Sequence, residues 1–438
     1  MPTSKQYLVK FSALFTAVVL ATAFGLPTAQ AATETIQVWT NAGDLNELLL
    51  KALSSAYEEA HPDIHVVVNV GPSGVAYIEL AKKRLAAGTM DDVLVHDTGS
   101  LFQALDPTKN LVDLTLEPWQ TKVVSSFYPV VSVGEKKYGA PFGSAMGGGI
   151  LYNKAVYKRL GLKIPLTWKQ FMANNTVISK AGLIPVIQTY GDSWTAQMFI
   201  LADEFNLQSA FPNFPALYTA NQVQIATVPA ALVGFQHLEE VHKARFQNKD
   251  YATAKVADGL KYLISGKGVH YPILSFVASD LTKQYPKLAQ NIGIFAQPGT
   301  LAESNGLTVW MPAGLFIPNT TQHLATAKNF VAYATSPEGL AAMDQAVTPS
   351  GPYLIKGAKL TGHLSQVTVQ MQVYFNKEGK TAPALEFVSP IKGPNLSAIS
   401  VQVGSGFMTA KQGAVAYDRD VARESKRLGL PRWGVLTH

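Results

Sequence analysis

From Thr35 onward, short β-rich runs alternate with amphipathic helical stretches, and no other feature of the chain narrows its fold as much. Ile36–Trp39 reads as a strand, and Leu45–Glu59 as a helix with Leu45, Leu48, Leu49, Ala52, Leu53 and Ala56 on one stripe. Ile64–Val70 is a second strand, Val75–Ala87 a second helix stopped by Gly88, and Val93–His96 a third strand. This β-α-β-α-β order implies an α/β protein with a parallel, doubly wound sheet, in which ligands sit outside the carboxyl ends of the strands. Those ends are Asn41–Asp44 and Asp97–Ser100, so both loops are site candidates.

The chain has 438 residues, 47% of them apolar, which is too long for one core and enough for two domains. Met1–Ala31 reads as a secretory leader: Lys5 and Lys10, an apolar run from about Phe11 to Leu26, then Ala29-Gln30-Ala31 before the cut. The chain has no cysteine, which removes disulfides, thiolate metal sites, cysteine nucleophiles and lipid attachment at an amino-terminal cysteine. An exported, unanchored protein is expected in a Gram-negative periplasm. Without the two leader lysines, 34 basic residues stand against 30 acidic ones, a net +4. These are scattered, so a nucleic-acid partner is not expected.

Gly139–Lys154 holds five glycines and one proline and then runs into the apolar Ile150-Leu-Tyr, which reads as a crossing between two rigid bodies. Beyond it, Thr167 and Gln170 form a capping-box signal for a helix through about Ser179. Phe205–Val228 is poorly periodic and reads as loops and short turns. Pro229–Lys249 reads as a helix, with another near Ala252–Ser265. Gly293–Ala296 and Thr308–Met311 are strand-like. Gln322–Thr335 reads as a helix, and Ser336-Pro337-Glu338 opens the next, with Ser as cap and Pro at the first position.

Several short segments carry a family resemblance in their order and spacing. They are Ala60-His-Pro-Asp-Ile64, Leu85-Ala-Ala-Gly88 with Asp92-Val93, Leu111-Val-Asp-Leu114, Tyr138-Gly-Ala-Pro141, Leu151-Tyr-Asn-Lys154, Pro165-Leu-Thr-Trp168 and Ala334-Thr-Ser-Pro-Glu-Gly339. Through them the chain resembles the extracellular solute-binding proteins of ATP-driven carbohydrate importers, the group of the maltose-binding protein. The resemblance implies two α/β lobes, each a doubly wound sheet flanked by helices, closing on a ligand about three interlobe crossings. It places the crossings near Ala145–Gly149, Met311–Phe316 and Asp344–Pro352. The lobes would be residues 32–144 with 315–345, and 145–314 with 346–438. The implied partners are a small carbohydrate and the permease subunits of the importer, with the binding protein a monomer that needs no cofactor.

A sugar presents hydroxyls in a plane and C–H patches on its faces, so its site needs flat aromatic platforms and dense hydrogen-bonding groups. Trp194, in the polar turn Gly191–Thr195, sits where the family places a stacking aromatic. Phe276 stands where the family has a tryptophan, without the Asn-Gly pair that usually precedes it. Trp310 lies at the second crossing, facing either the cleft or the adjacent sheet. Among polar candidates, Asp97 follows a strand at a switch point, Asp44 doubles as a helix cap through Glu47, and Asn41 and Ser144 support them. His96 has no second ligand at metal spacing and reads as a packed histidine.

Catalytic readings find little support. The chain has no Gly-x-Ser-x-Gly, no His-Glu-x-x-His and no phosphate-binding Gly-rich loop with Lys-Ser/Thr, and its adjacent acids, such as Asp91-Asp92, read as solvated faces or turns. Other readings are a polyamine or phosphorylated-polyol ligand on the same scaffold, or a secreted two-carboxylate glycoside hydrolase or lyase.

Overall fold

The computed structural model describes residues 34–42, 45–72, 75–359 and 364–427. The leader and Asp44 lie outside the described residues. Strands β1 (Glu34–Asn41), β2 (Ile64–Gly71), β3 (Val93–His96) and β4 (Gly139–Phe142) come first. They are followed by β5 (Met146–Asn153), β6 (Ile184–Val186), β7 (Gly268–Leu274), β8 (Ile292–Ala296) and β9 (Leu307–Trp310). Then come β10 (Ala313–Phe316) and β11 (Thr381–Pro383).

These strands form two main sheets. One has the order β2-β1-β3-β10-β4, and the other β11-β9-β5-β7-β6 with β8 also paired to β5. Within the first sheet β1 is parallel to β2 and β3, as the β-α-β order requires, but β10 runs antiparallel to both β3 and β4. The sheet is therefore mixed where a wholly parallel one was expected. The reason is topological: the chain leaves after β4, builds most of the second sheet, and re-enters as β10 from the opposite direction. All four residues of β3 are buried, as suits a central strand covered on both faces.

Helix α1 (Leu45–Ala60) packs on β1, β2 and helix Pro337–Ala346. Its buried face is Leu49, Leu50, Leu53, Ser54 and Tyr57, which is rotated from the expected stripe, and Leu45 and Leu48 stay exposed. Tyr57 sets that rotation, its ring meeting Phe330 edge-on at 5.2 Å. The capping box on helix Trp168–Lys180 forms as expected, and Ser336 caps Pro337–Ala346 by accepting from Gly339 N at 3.1 Å. Phe205–Val228 holds two short helices, Glu204–Ala210 and Phe214–Thr219, where loops were expected. Buried aromatic packing drives them, with Phe214 stacked on Tyr218 at 5.4 Å.

The chain passes between the two sheets at Gly143–Ala145 and again at Met311–Pro312. Gly143 adopts φ 87°, a left-handed turn suited to glycine. A third segment, Thr348–Pro352, lies against the first: Ala145 N donates to Pro352 O at 2.9 Å and Ser350 N to Ser144 Oγ at 3.0 Å. Gly147, Gly148 and Gly149 lie inside β5 and are buried. Gly148 pairs with Thr308 on one side and Leu274 on the other, and a Cβ there would overlap the Trp310 ring. The glycines of the crossing expected near Ala145–Gly149 are therefore strand residues, and the turn between the sheets is Gly143–Ala145. Ladder pairing on both sides holds these residues, and close packing is what requires glycine.

Candidate ligand-binding site

Ends of strands from both sheets meet at one cavity beside the connecting segments. On the first sheet, Asn41 ends β1 opposite Gly71, half-buried, with its Oδ1 accepting from Thr40 Oγ1 at 3.4 Å. Asp97 follows β3 and is exposed, whereas His96 before it is 1% exposed. His96 is a packed residue: its ring stacks 5.9 Å from Tyr77, its Nδ1 lies 2.9 Å from Asp97 O, and burial pushes its pKa down. Thr98 Oγ1 donates to Pro312 O at 3.1 Å, fixing the Asp97 loop to the second connection.

Asp97 and Ser144 line one cavity of about 200 Å³, together with Phe142, Met146, Met311 and Tyr353. That volume lies below the roughly 300–1,000 Å³ of drug-sized ligand pockets. Ser144 Oγ is engaged as acceptor for Ser350 N, so one of its lone pairs serves the junction. Ser275 is a second junction residue, 0% exposed, accepting from Gly147 N at 2.9 Å and donating to Ser350 O at 2.8 Å.

Three aromatic candidates gather on the second sheet. Trp194 sits in the 3₁₀ turn Ser193–Gln197, half-buried, its ring 5.9 Å from that of Phe276 and tilted 34°. Phe276 follows β7. Trp310 ends β9, paired with Met146, and is 7% exposed. Trp194, Met146, Leu274 and Phe387 all pack on the cluster that includes Trp310. Met146 therefore joins the aromatic face to the cavity that holds Asp97 and Ser144. Trp310 Nε1 donates to Glu386 Oε1 at 2.5 Å, and Lys392 Nζ lies 2.6 Å from Glu386 Oε2.

Sequence reasoning missed Glu386, Phe387, Ser275 and Met146. The first two lie in an aperiodic stretch some 76 residues beyond Trp310, so nothing local marks them. The acids Asp91 and Asp92, expected on a solvated face or turn, are buried and structural. Asp91 pairs with Arg84, and Asp92 accepts from Gln37 N at 2.8 Å and Thr321 Oγ1 at 2.6 Å. Among the described residues, no three His, Asp or Glu side chains converge as a metal site, and no helix is long and apolar enough to cross a membrane.

Two mixed sheets joined by three segments, with strand ends facing a shared cavity, match a known architecture. The profile of the bacterial extracellular solute-binding proteins covers residues 41–341. The chain belongs to this family. Among relatives, this solute-binding protein is 25% identical over 336 residues to the multiple sugar-binding protein of Streptococcus mutans, spanning 74% of this chain and 76% of that one. Among solved structures, RafE in complex with raffinose superposes with a TM-score of 0.66 at 23% identity, over 89% of this chain and 98% of RafE. The bacterial solute receptor AcbH, described as having an exclusive preference for β-D-galactopyranose, gives 0.74 at 16% identity, over 90% and 99%. These likenesses at low identity establish the shared two-lobed fold.

Proposed function

We propose that this protein is the soluble substrate-capture component of an ATP-driven carbohydrate importer, taking a mono- or short oligosaccharide between two closing lobes. The observation that carries the reading is the pairing of an aromatic face with polar groups across one junction. Trp194, Phe276 and Trp310 lie on one side, and Asp97 and Ser144 on the other, linked through Met146. Aromatic faces take the C–H patches of a pyranose, and a carboxylate accepts its hydroxyls through hydrogen bonds of about 1.5–3 kcal/mol. The names of the relatives, which bind multiple sugars, raffinose and galactopyranose, support a sugar over a polyamine or phosphate ester. The cavity lining also offers one carboxylate and no Arg or Lys.

In this reading residues 32–144 with 315–345 form one lobe and 145–314 with 346–438 the other. Asn41 and Asp44 complete the first lobe's contribution. The protein acts as a monomer without cofactor or catalysis, is exported to the periplasm by its leader, and hands the sugar to the permease subunits of its importer.

A thermal-shift panel of mono- and disaccharides and the trisaccharide raffinose, with chromatography of each mixture, tests this. A raised Tm without new products is expected, because a ligand bound only by the folded state stabilises it. Product formation, or no shift with any sugar, would reject the reading.

A further inference from the structure

The turn Leu385–Val388 touches both sheet units at once. Toward the second unit, Glu386 accepts from Trp310 Nε1 at 2.5 Å and pairs with Lys392 at 2.6 Å, while Phe387 packs on the Trp310 cluster beside Trp194. Toward the first unit, the Glu386 backbone carbonyl accepts from Ser100 Oγ at 3.1 Å. Beside it, the backbone of Phe387 lies so close to Gly99 that a Cβ at that position would overlap it. Gly99 also adopts φ 70°, which a side chain would strain. Gly99 and Ser100 directly follow the Asp97 candidate and the Thr98 tie to Pro312.

We infer that Leu385–Val388 is an interlobe strap, with Glu386 the positioning residue that couples the Trp310 platform to the docked arrangement of the two units. A ligand shifts a conformational balance only through contacts that differ between its states. The strap supplies such contacts. If the units part, the Ser100–Glu386 bond and the Gly99–Phe387 contact are lost, while Trp310 stays with the second unit. Because Trp310 Nε1–H is committed to Glu386 and its ring rests over Gly148, the indole has no free donor for a ligand. Lys392 balances the carboxylate, so a neutral ligand meets no bare charge. The consequence for affinity rests on the sugar reading above; the strap itself does not.

The test uses the full chain, with and without D-galactose or raffinose as probes, read by small-angle scattering, tryptophan emission and calorimetric titration. Gly99→Ala is expected to enlarge the sugar-free radius of gyration and to weaken whichever probe the wild type binds by about tenfold, within the usual range of interlobe coupling. Ser100→Ala should act in the same direction more weakly, and it serves alone if Gly99→Ala does not fold. Glu386→Ala should change an emission component that Trp310→Phe abolishes, while Glu386→Gln, which keeps an acceptor opposite the indole, should restore it. Folded Gly99→Ala and Ser100→Ala proteins with wild-type dimensions and wild-type probe affinity would overturn the strap. If the wild type binds neither probe, these two sugars are excluded as ligands, and the strap stands or falls on dimensions and emission.

Discussion

Each aromatic candidate is held in place by a different neighbour. Trp310 is almost wholly buried and anchored through its indole nitrogen, whereas Trp194 is half-buried and leans on Phe276. Trp194 thus keeps more surface for a ligand and depends less on the core. Trp194→Ala is expected to weaken sugar binding by roughly 2 kcal/mol, about thirtyfold, as central aromatic contacts do. It should leave the ligand-free Tm within a few degrees, and titration of the variant with the sugar that shifts the wild type most would decide. Unchanged affinity would make Trp194 purely structural. The type of both tryptophans was visible in the sequence, but their neighbours were not. Glu386 lies 76 residues from Trp310, and no local pattern announces a contact at that range.

At the scale of elements, β5 shows why a glycine run misleads. Three consecutive glycines normally suggest free dihedrals, yet here neighbouring strands cross over the backbone with Trp310, Leu307 and Phe295. Gly148→Ala is expected to push Trp310 off its seat and cost about 1–3 kcal/mol, the usual price of overpacking. It should weaken sugar binding as well, measurable by denaturant unfolding alongside titration. Gly148→Pro should fail more severely, because it also removes a ladder hydrogen bond from a strand paired on both sides. A folded Gly148→Ala protein with wild-type stability and affinity would show that the ring has room to move. The strands and capped helices were legible beforehand because periodicity and caps are local. The helices within Phe205–Val228 were not, because their buried aromatics answer to partners elsewhere in the fold.

For the molecule as a whole, buried titratable groups set opposing pH dependences. Burial pushes His237 and His270 down to about 3. His270 is also fixed between Tyr157 OH and Asn175 Oδ1, each at 2.7 Å. Their contribution is complete above the unfolded value of about 6.5 and is lost as pH falls from there toward the folded value. Burial pushes Asp203 up to about 7 and Glu204 up to about 8. Their contribution is complete below about 4 and is lost as pH rises toward those folded values. Between about pH 4 and 6.5 the two trends oppose each other, with Asp418, raised to about 6, adding to the acid side, and above that range the acids dominate. Asp203→Asn keeps an acceptor for Asn206 and Gln297 but cannot ionise. Its Tm relative to the wild type should therefore climb from about pH 4 to about pH 7 and level off above that. A constant difference across that range would show that Asp203 does not titrate with folding.

The alternation of strands and helices, the caps that bound several of them, and the residue types available for a sugar all follow from local order along the chain. Those are short-range properties, carried by side-chain period and by backbone groups a few residues apart. The tertiary structure decided the direction of β10, the role of the glycines in β5, and which distant residues meet at Trp310. Each depends on chain segments separated by scores of residues, whose meeting is governed by close packing and hydrogen-bond satisfaction across the assembled core.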